Sequence, residues 1–284
     1  MTRLWPVLAA LGVAGCAHPV PGDRPPDLRS VTSRAAGDWV VEDPENVLVI
    51  DSGRGRLYVE LHPEIAPDAV GRIKLLTRRG TYDGLQFWRV SEDFVVQTGD
   101  PGNRDGGKTE LPNLKPEFSF RLTSTMPHRV YARPQGVSAG FIGALPYVSV
   151  SEDAKPRRDD GSLHAWITYC SGVMGMGRDA DLDTANSEIF FMLRAYPGLD
   201  RDYTPVGRLL IGQDILAAMT PGEPSAHPDI VVKAQILADM KDAPGIEVMN
   251  TRGAGFAARV DRARRRRGAD FSICDVAVPA RLTS

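Results

Sequence analysis

One cation stands among apolar residues in Phe87-Trp88-Arg89-Val90, and the next apolar run carries Phe94, Val95 and Gln97. The two runs read as short strands joined at Ser91-Glu92. In strand alternation Val95 and Gln97 project to the same face. A guanidinium is always charged and offers donors in a fixed fork. Nothing points to hydrolysis: there is no GxSxG and no HExxH. His18 lies in a polar N-terminal stretch, and His62, His128, His164 and His227 have no partner pattern, so each reads as a surface or structural residue. No Cys/His spacing fits zinc, so no metal is expected, and no cofactor. Taken singly, a strand arginine is usually an ion-pair partner, and Phe94 or Val95 usually core.

Two glycine-rich stretches invite other chemistry and do not support it. GDPGNRDGGKT lacks the spacing of a phosphate loop and no helix follows it. GAGFAA at 253–258 matches a dinucleotide fingerprint, but the residues left after it are too few for the sheet that such a site needs. The arginine run from Arg262 to Arg267 falls in the last turns of an expected helix, where cations complement the dipole.

The positioning elements must come from a chain of 284 residues with Lys+Arg 34 against Asp+Glu 36, a net charge of −2. That balance gives no general nucleic-acid footprint. Hydrophobic content of 42% with 25% charged residues argues against disorder over most of the length. No apolar run reaches the ~18–20 residues of a spanning helix, which excludes a polytopic membrane protein. Gly 28 and Pro 22 mean many turns and favour β structure.

The segment MTRLWPVLAALGVAGC has one basic residue, a short apolar stretch and small residues before Cys16, the pattern of a secretory signal over residues 1–15. Its V-A-G-C ending resembles the lipobox of bacterial lipoproteins. That resemblance implies acylation of Cys16, a membrane anchor in the cell envelope, and a flexible tether over 16–44. Ala17, rather than Asp, implies sorting to the outer membrane in a host that has one, and the expected location is its periplasmic face. An exported protein can keep disulfides, but whether Cys170 and Cys274 pair stays open.

NVLVIDSGRGRLYVELH predicts a β-hairpin around Gly53-Arg54-Gly55, with Leu57, Val59 and Leu61 alternating against Tyr58 and Glu60. APDAVGRIKLLTRRG predicts a helix, with Pro67 in its first turn, Ala69, Ile73, Leu75 and Leu76 at helical spacing, and Gly80 at the C′ position. Regular pattern weakens at about 121–163, read as a surface insertion with one short hairpin. It returns at AWITYCSGVMGMG, NSEIFFML, TPVGRLLIG, a short helix QDILAAM and a strand DIVVKAQIL. Residues 241–284 predict a strand (IEVMN), a helix (Phe256 to Arg267) and a strand (ADFSICDVAV). Many short strands and few helices suggest a closed antiparallel barrel over 45–240.

YDGLQFWRVSEDFVVQTGDPGNRDGG resembles the central motif of cyclophilins, the peptidyl-prolyl cis-trans isomerases. GVMGMGRDADLDTANSEIFFML and PGLDRDYTPVGRLLIGQDILAAM are similar to the family's second and third blocks, in the family's order. The resemblance covers about Asn46 to Leu237. It implies a mainly β fold: an eight-stranded antiparallel barrel capped by two helices, here with a long insertion and a C-terminal strand-helix-strand extension. It implies Arg89 as the catalytic arginine. Phe94, Val95, Phe190 and Leu199 would wall a proline pocket, and Gln97 would bind the peptide backbone. Gly177 and Arg178 stand where the family usually has Ala-Asn, Glu188 replaces the common Gln, and Tyr203 stands at the usual His; all four are expected at the substrate. Gly198 stands where many members have Trp, which implies weak cyclosporin binding. The expected activity is rotation of X-Pro bonds in exported polypeptides, assisting envelope protein folding. The alternatives are a proline-peptide binding module with little turnover, which Arg178 and Glu188 leave room for, and, more remotely, a lipocalin-like carrier with a wide cavity.

Overall fold

The structure is a computed structural model that describes residues 37–100, 107–151 and 160–283. Cys16, the signal and most of the expected tether lie outside the described residues. Strand β1 (Trp39–Val41) precedes the hairpin of β2 (Val47–Ser52) and β3 (Gly55–Leu61). Helix α1 (Pro67–Arg78) follows, then the short pair β4 (Arg89–Ser91) and β5 (Val95–Thr98). The next stretch carries β6 (Phe120–Leu122), β7 (His128–Ala132), β8 (Val137–Ile142), β9 (Leu145–Val150) and β10 (Leu163–Ile167). The chain returns with β11 (Val173–Met176), β12 (Ile189–Met192), β13 (Pro205–Ile211), α2 (Gln213–Ala217) and β14 (Val231–Ile236). It ends with β15 (Gly245–Met249), α3 (Ala254–Arg267) and β16 (Ala280–Thr283).

Eight strands form a curled antiparallel sheet in the order β14-β2-β3-β13-β11-β12-β5-β4. The hairpin closes as its glycines dictate, with Ser52 opposite Gly55 and Gly55 at φ 143°. Helix α1 has Pro67 in its first turn and Gly80 at φ 68° just past its end. It buries Ala69, Val70, Ile73 and Leu76, while Leu75, expected on the same face, is 40% exposed. These side chains meet Leu48, Leu57, Val59, Phe87, Val96 and Phe191 in a first core inside the curl.

The expected closed barrel is not completed by strand pairing. The edge strands β14 and β4 share no ladder; single bridges Gln86↔Ile230 and Val90↔Gly222 join their flanks. The reason is local. Residues 80–84 are turn, with Gly84 at φ 79°, so LQF does not extend as strand and β4 keeps only three residues.

The insertion departs further from its reading as a loop with one hairpin. It is a five-stranded sheet in the order β6-β10-β9-β8-β7. The strands are short, and β6 pairs with β10 across some forty residues of sequence, which periodicity alone does not reveal. The β8–β9 turn is fastened to the main sheet. Ala144 N–H donates to Glu60 Oε2 (3.0 Å), and Arg208 Nη1 donates to the Ala144 carbonyl (2.8 Å). Glu60 and Arg208 are cross-strand partners in β3 and β13. His62, two residues on, is buried between Glu64 (Nδ1 to Oε1, 2.7 Å) and Glu60 (Nε2 to Oε1, 3.1 Å). Burial opposes its charge, but the two carboxylates outweigh it and raise its pKa to about 10. His62 is thus structural.

The C-terminal extension forms its own three-stranded sheet, β1-β15-β16. Residues 39–41, placed in the tether by the sequence, are therefore a strand, with Trp39 opposite Met249. The strand expected over ADFSICDVAV is absent. The chain there makes short 3-10 turns over Gly268–Asp270 and Ile273–Asp275, the second closed by a Ser272/Asp275 capping box, and pairs only from Ala280. Helix α3 lays Phe256, Val260 and Ala263 on the insertion sheet, making a second core with Phe141, Tyr147 and Ile167. Phe141 and Phe256 meet edge-on at 5.1 Å, a geometry that adds about 0.5–1.5 kcal/mol to their burial. Val95, Phe190 and Met192 of the main sheet belong to this same core, so the insertion packs against the strands that carry the pocket.

Cys170 and Cys274 are disulfide-bonded, with Cα atoms 5.0 Å apart and a sequence separation of 104. The bond staples the extension to the approach of β11. Closing so long a loop removes about 4–5 kcal/mol of unfolded-chain entropy in the simplest treatment. Cys274→Ser should therefore lose roughly 2–5 kcal/mol in denaturant unfolding, and reductant should bring the unsubstituted chain down to the same stability. Equal unfolding midpoints for the two oxidised proteins would contradict this.

Candidate active site

Register brings the chemistry together. β4 and β5 are antiparallel, and Arg89 lies directly opposite Gln97. Opposed side chains on one face stand about 4.5–5.5 Å apart at Cβ, so the guanidinium and the amide meet. Arg89 Nη1 donates to Gln97 Oε1. Gln97 Nε2 donates to Glu188 Oε1 (3.0 Å), and Trp88 Nε1 donates to the same oxygen (2.8 Å). The amide has one possible orientation: its NH2 must face the carboxylate, which accepts, and its oxygen must face the guanidinium, which only donates. Arg89 is a quarter exposed at the pocket mouth. Its Nε lies 3.0 Å from Glu223 Oε1, an ionic contact off the hydrogen-bond line.

A small pocket opens beside this chain. Arg89, Phe94, Val95, Gln97, Gly177, Arg178, Phe190, Leu199 and Tyr203 line it, nine of the ten substrate-site residues expected from sequence. The tenth, Glu188, is fully buried and does not line the pocket. It stands behind Gln97, and the reason is steric as well as polar. A Cβ on residue 177 would come within 2.7 Å of Glu188 Oε2, so Gly177 leaves the room that the carboxylate fills. Arg178 lines the pocket as wall. Its Nη2 donates to Asp202 Oδ1 (2.8 Å) and its Nη1 to the Asp179 carbonyl (2.9 Å), and its guanidinium lies 4.5 Å from the Tyr203 ring centre.

The apolar floor is a run of aromatics. Phe190 is flanked by Tyr203, edge-on at 5.6 Å, and by Tyr169, stacked at 5.7 Å. Tyr169 was not singled out in the sequence. It is buried behind Phe190, which raises its hydroxyl pKa well above the ordinary value and keeps it neutral. Its signal is Gly175, where a Cβ would meet both the Tyr169 hydroxyl and Phe190 Cζ at 2.7 Å. Tyr196 was missed too. A Cβ on Gly198 would sit 2.7 Å from its ring, and that ring packs edge-on against Phe94 at 5.2 Å. Part of the aromatic surface that a larger residue at 198 would supply thus comes from Tyr196, half exposed.

The arrangement presents one fixed cation at the rim of an apolar, aromatic-backed hollow, with an oriented amide beside it. It has no nucleophile with a base at hydrogen-bond range. Among the described residues no cluster of His, Cys, Asp and Glu could hold a metal ion. It can hold an apolar ring and place positive charge against a backbone atom next to it.

Comparison with known proteins agrees with this geometry. The family model for cyclophilin-type peptidyl-prolyl cis-trans isomerases matches residues 47–238. A Brucella suis protein described as "Probable peptidyl-prolyl cis-trans isomerase" is 29% identical over 215 residues, covering 70% of this chain and 86% of its own. A Schizosaccharomyces pombe peptidyl-prolyl cis-trans isomerase is 26% identical over 170 residues, covering 60% of this chain and 82% of its own. The crystal structure of a cyclophilin from Hirschia baltica superposes with a TM-score of 0.79 at 31% identity, covering 86% of this chain and 93% of the other. That coverage exceeds the span of the family model, so the shared architecture reaches into the added segments.

The buried carboxylate generates a direct test. Glu188→Ala would leave Trp88 Nε1 and Gln97 Nε2 as buried donors without this acceptor, at about 1–3 kcal/mol each. The variant should lose roughly 2–5 kcal/mol of stability and raise KM for a proline peptide more than it lowers kcat, because Gln97 loses its orientation while Arg89 remains. Glu188→Gln, which still accepts, should recover most of both. A stable Glu188→Ala protein with unchanged KM would show that the carboxylate orients nothing.

Proposed function

The chain belongs to the cyclophilin-type peptidyl-prolyl cis-trans isomerases, and from that premise we propose that Arg89 is its catalytic residue and exported polypeptides are its substrates. The single observation that carries the first point is Arg89 at the rim of the pocket, tied to Gln97 on the facing strand.

Amide resonance opposes rotation about X-Pro with a barrier near ~18–20 kcal/mol, and uncatalysed exchange takes tens to hundreds of seconds. At the twisted midpoint resonance is lost and the proline nitrogen becomes pyramidal and basic. A cation near that nitrogen stabilises the twisted form more than either planar isomer, which is the condition for catalysis. In this reading the proline ring enters between Phe94, Val95, Phe190 and Leu199. Gln97 holds the carbonyl side, keeping one half of the bond still while the other turns. Arg89 donates to the nitrogen, leaving its contact with Glu223. Gly177 and the fixed Arg178–Tyr203 wall border the residues flanking proline. No covalent intermediate is formed, and no proton leaves the arginine.

Two features support work outside the cytoplasm. The Cys170–Cys274 disulfide suits an oxidising compartment, and the N-terminal segment ending at Cys16 has the form of a lipoprotein signal. An isomerase anchored there through an acylated Cys16, at the periplasmic face of an outer membrane, would meet polypeptides as they fold after export. Its partners are then proline-containing chains of the envelope.

Two measurements test this. In an isomerisation assay on proline tetrapeptides, Arg89→Ala should lower kcat/KM by roughly 10²–10³-fold, the range for loss of one transition-state donor. Peptide affinity should change far less, because the apolar pocket is intact; an Arg89→Ala protein with undiminished turnover would remove Arg89 from the mechanism. In cells, the chain should fractionate with membranes and take up labelled fatty acid, and Cys16→Ser should abolish the label. Absence of label in the unsubstituted protein would argue against the anchor.

A further inference from the structure

Helix α3 carries a charge pattern that the isomerase site does not use. From 252 to 267 the sequence has seven arginines, no lysine and one acidic residue, Asp261. Phe256, Val260 and Ala263 face the second core. At 3.6 residues per turn, Arg259, Arg262 and Arg266, with Arg265 beside them, form a stripe along one flank turned away from that core. Arg262, Arg265 and Arg266 are exposed and Arg259 half-exposed. Neighbouring arginines are satisfied: Arg264 Nη1 donates to Asp261 (3.0 Å), and Arg267 Nε lies 3.2 Å from Asp275. Among the described residues none of the four stripe arginines has an ion-pair partner. They crowd one another instead. Burial, and then the charges of Arg262 and Arg266, hold Arg259 below the usual arginine range. The helix dipole favours cations in the last turn, which accounts for Arg265 and Arg266 but not for Arg259 and Arg262. Like charges at this spacing destabilise a helix, and among the described residues no ion-pair partner relieves them.

We propose that this stripe docks on the surface of an anionic phospholipid bilayer. Arginine chelates phosphate with a two-pronged fork that lysine lacks, and α3 uses arginine throughout. From Arg259 to Arg266 the stripe runs about 10 Å at ~1.5 Å per residue. Three of its four residues are exposed on the outer flank of the helix, where a plane of headgroups can reach them. The helix's one aromatic, Phe256, is buried. The stripe therefore offers no ring for stacking bases, which single-stranded nucleic-acid surfaces use. The whole chain carries a net charge of −2, so the attraction is local to this helix.

The test uses the full chain with Cys16→Ser, so that no acyl group contributes. Its cosedimentation with phosphatidylcholine vesicles is compared with that for mixed phosphatidylcholine–phosphatidylglycerol vesicles. The N-terminal segment is common to the parent and the arginine variants, so the change in this ratio between them isolates the stripe. A preference for the mixed vesicles of roughly 10²–10³-fold is expected from four arginines near the surface, collapsing in high salt. R259Q/R262Q/R265Q/R266Q should bring the ratio close to one while prolyl isomerase activity stays unchanged. The matching lysine variant should keep an intermediate preference. Should the glutamine variant misfold, the lysine variant and the salt titration of the parent still decide. Equal binding to both vesicles, a preference that survives high salt, or an undiminished preference in the folded glutamine variant would overturn the proposal. So would inorganic phosphate or an RNA oligonucleotide that binds the stripe more tightly than the vesicles do.

Discussion

A buried carboxylate governs the pocket. Glu188 has no solvent, and a charge or polar group without partners in such a place costs several kcal/mol. Donors must come to it, and Trp88 and Gln97 do. Gln97 then has only its oxygen left to offer Arg89, so the position of the guanidinium at the surface is fixed from the interior outward. The glycines follow from the same bulk: side chains at 107 and 177 would both collide with Glu188. Strand β12 begins at the next residue and carries Phe190, so the polar support and the apolar floor are adjacent on one short stretch of chain.

That floor is not the property of the eight-stranded sheet alone. Val95, Phe190 and Met192 pack into the core that the insertion sheet and α3 build. Tightly packed interiors transmit displacement, because side chains have few voids to absorb it. Ala144, clamped by Glu60 and Arg208, and Cys170, stapled to Cys274, belong to the same core as Phe190 and Val95. The added segments therefore pack behind the substrate site as well as enlarging the molecule.

Much of this was legible in the residues. The hairpin at Gly53-Arg54-Gly55 and helix α1 were readable because alternation, Pro67 and Gly80 are local signals. The pocket residues were readable because the blocks that carry them keep their order, and nine of ten fall on one hollow. Glu188 was misplaced because its neighbours Ser187 and Ile189 say only that a strand begins; Trp88 and Gln97, far away in sequence, decide that it lies behind the surface. The insertion sheet was invisible for a related reason. Its strands are three to six residues long, glycine at 140 is demanded by the carbonyl of Arg129 on the neighbouring strand, and non-local pairing leaves no period. The last strand was placed too early because Ile273 and Cys274 look apolar, yet a Ser272 cap turns the chain there.

The disulfide has a consequence for the integrity of the chain. Cys170 precedes the strands that complete the main sheet, and Cys274 lies ten residues from the end. β11 through α3 all lie inside the covalent ring so formed. A protease that cuts any exposed loop within that ring divides the backbone but not the molecule: the two pieces stay joined, with Arg89, Phe94, Val95 and Gln97 on the first and the C-terminal remainder tied to it. The enzyme can therefore be nicked within the ring without being dismembered.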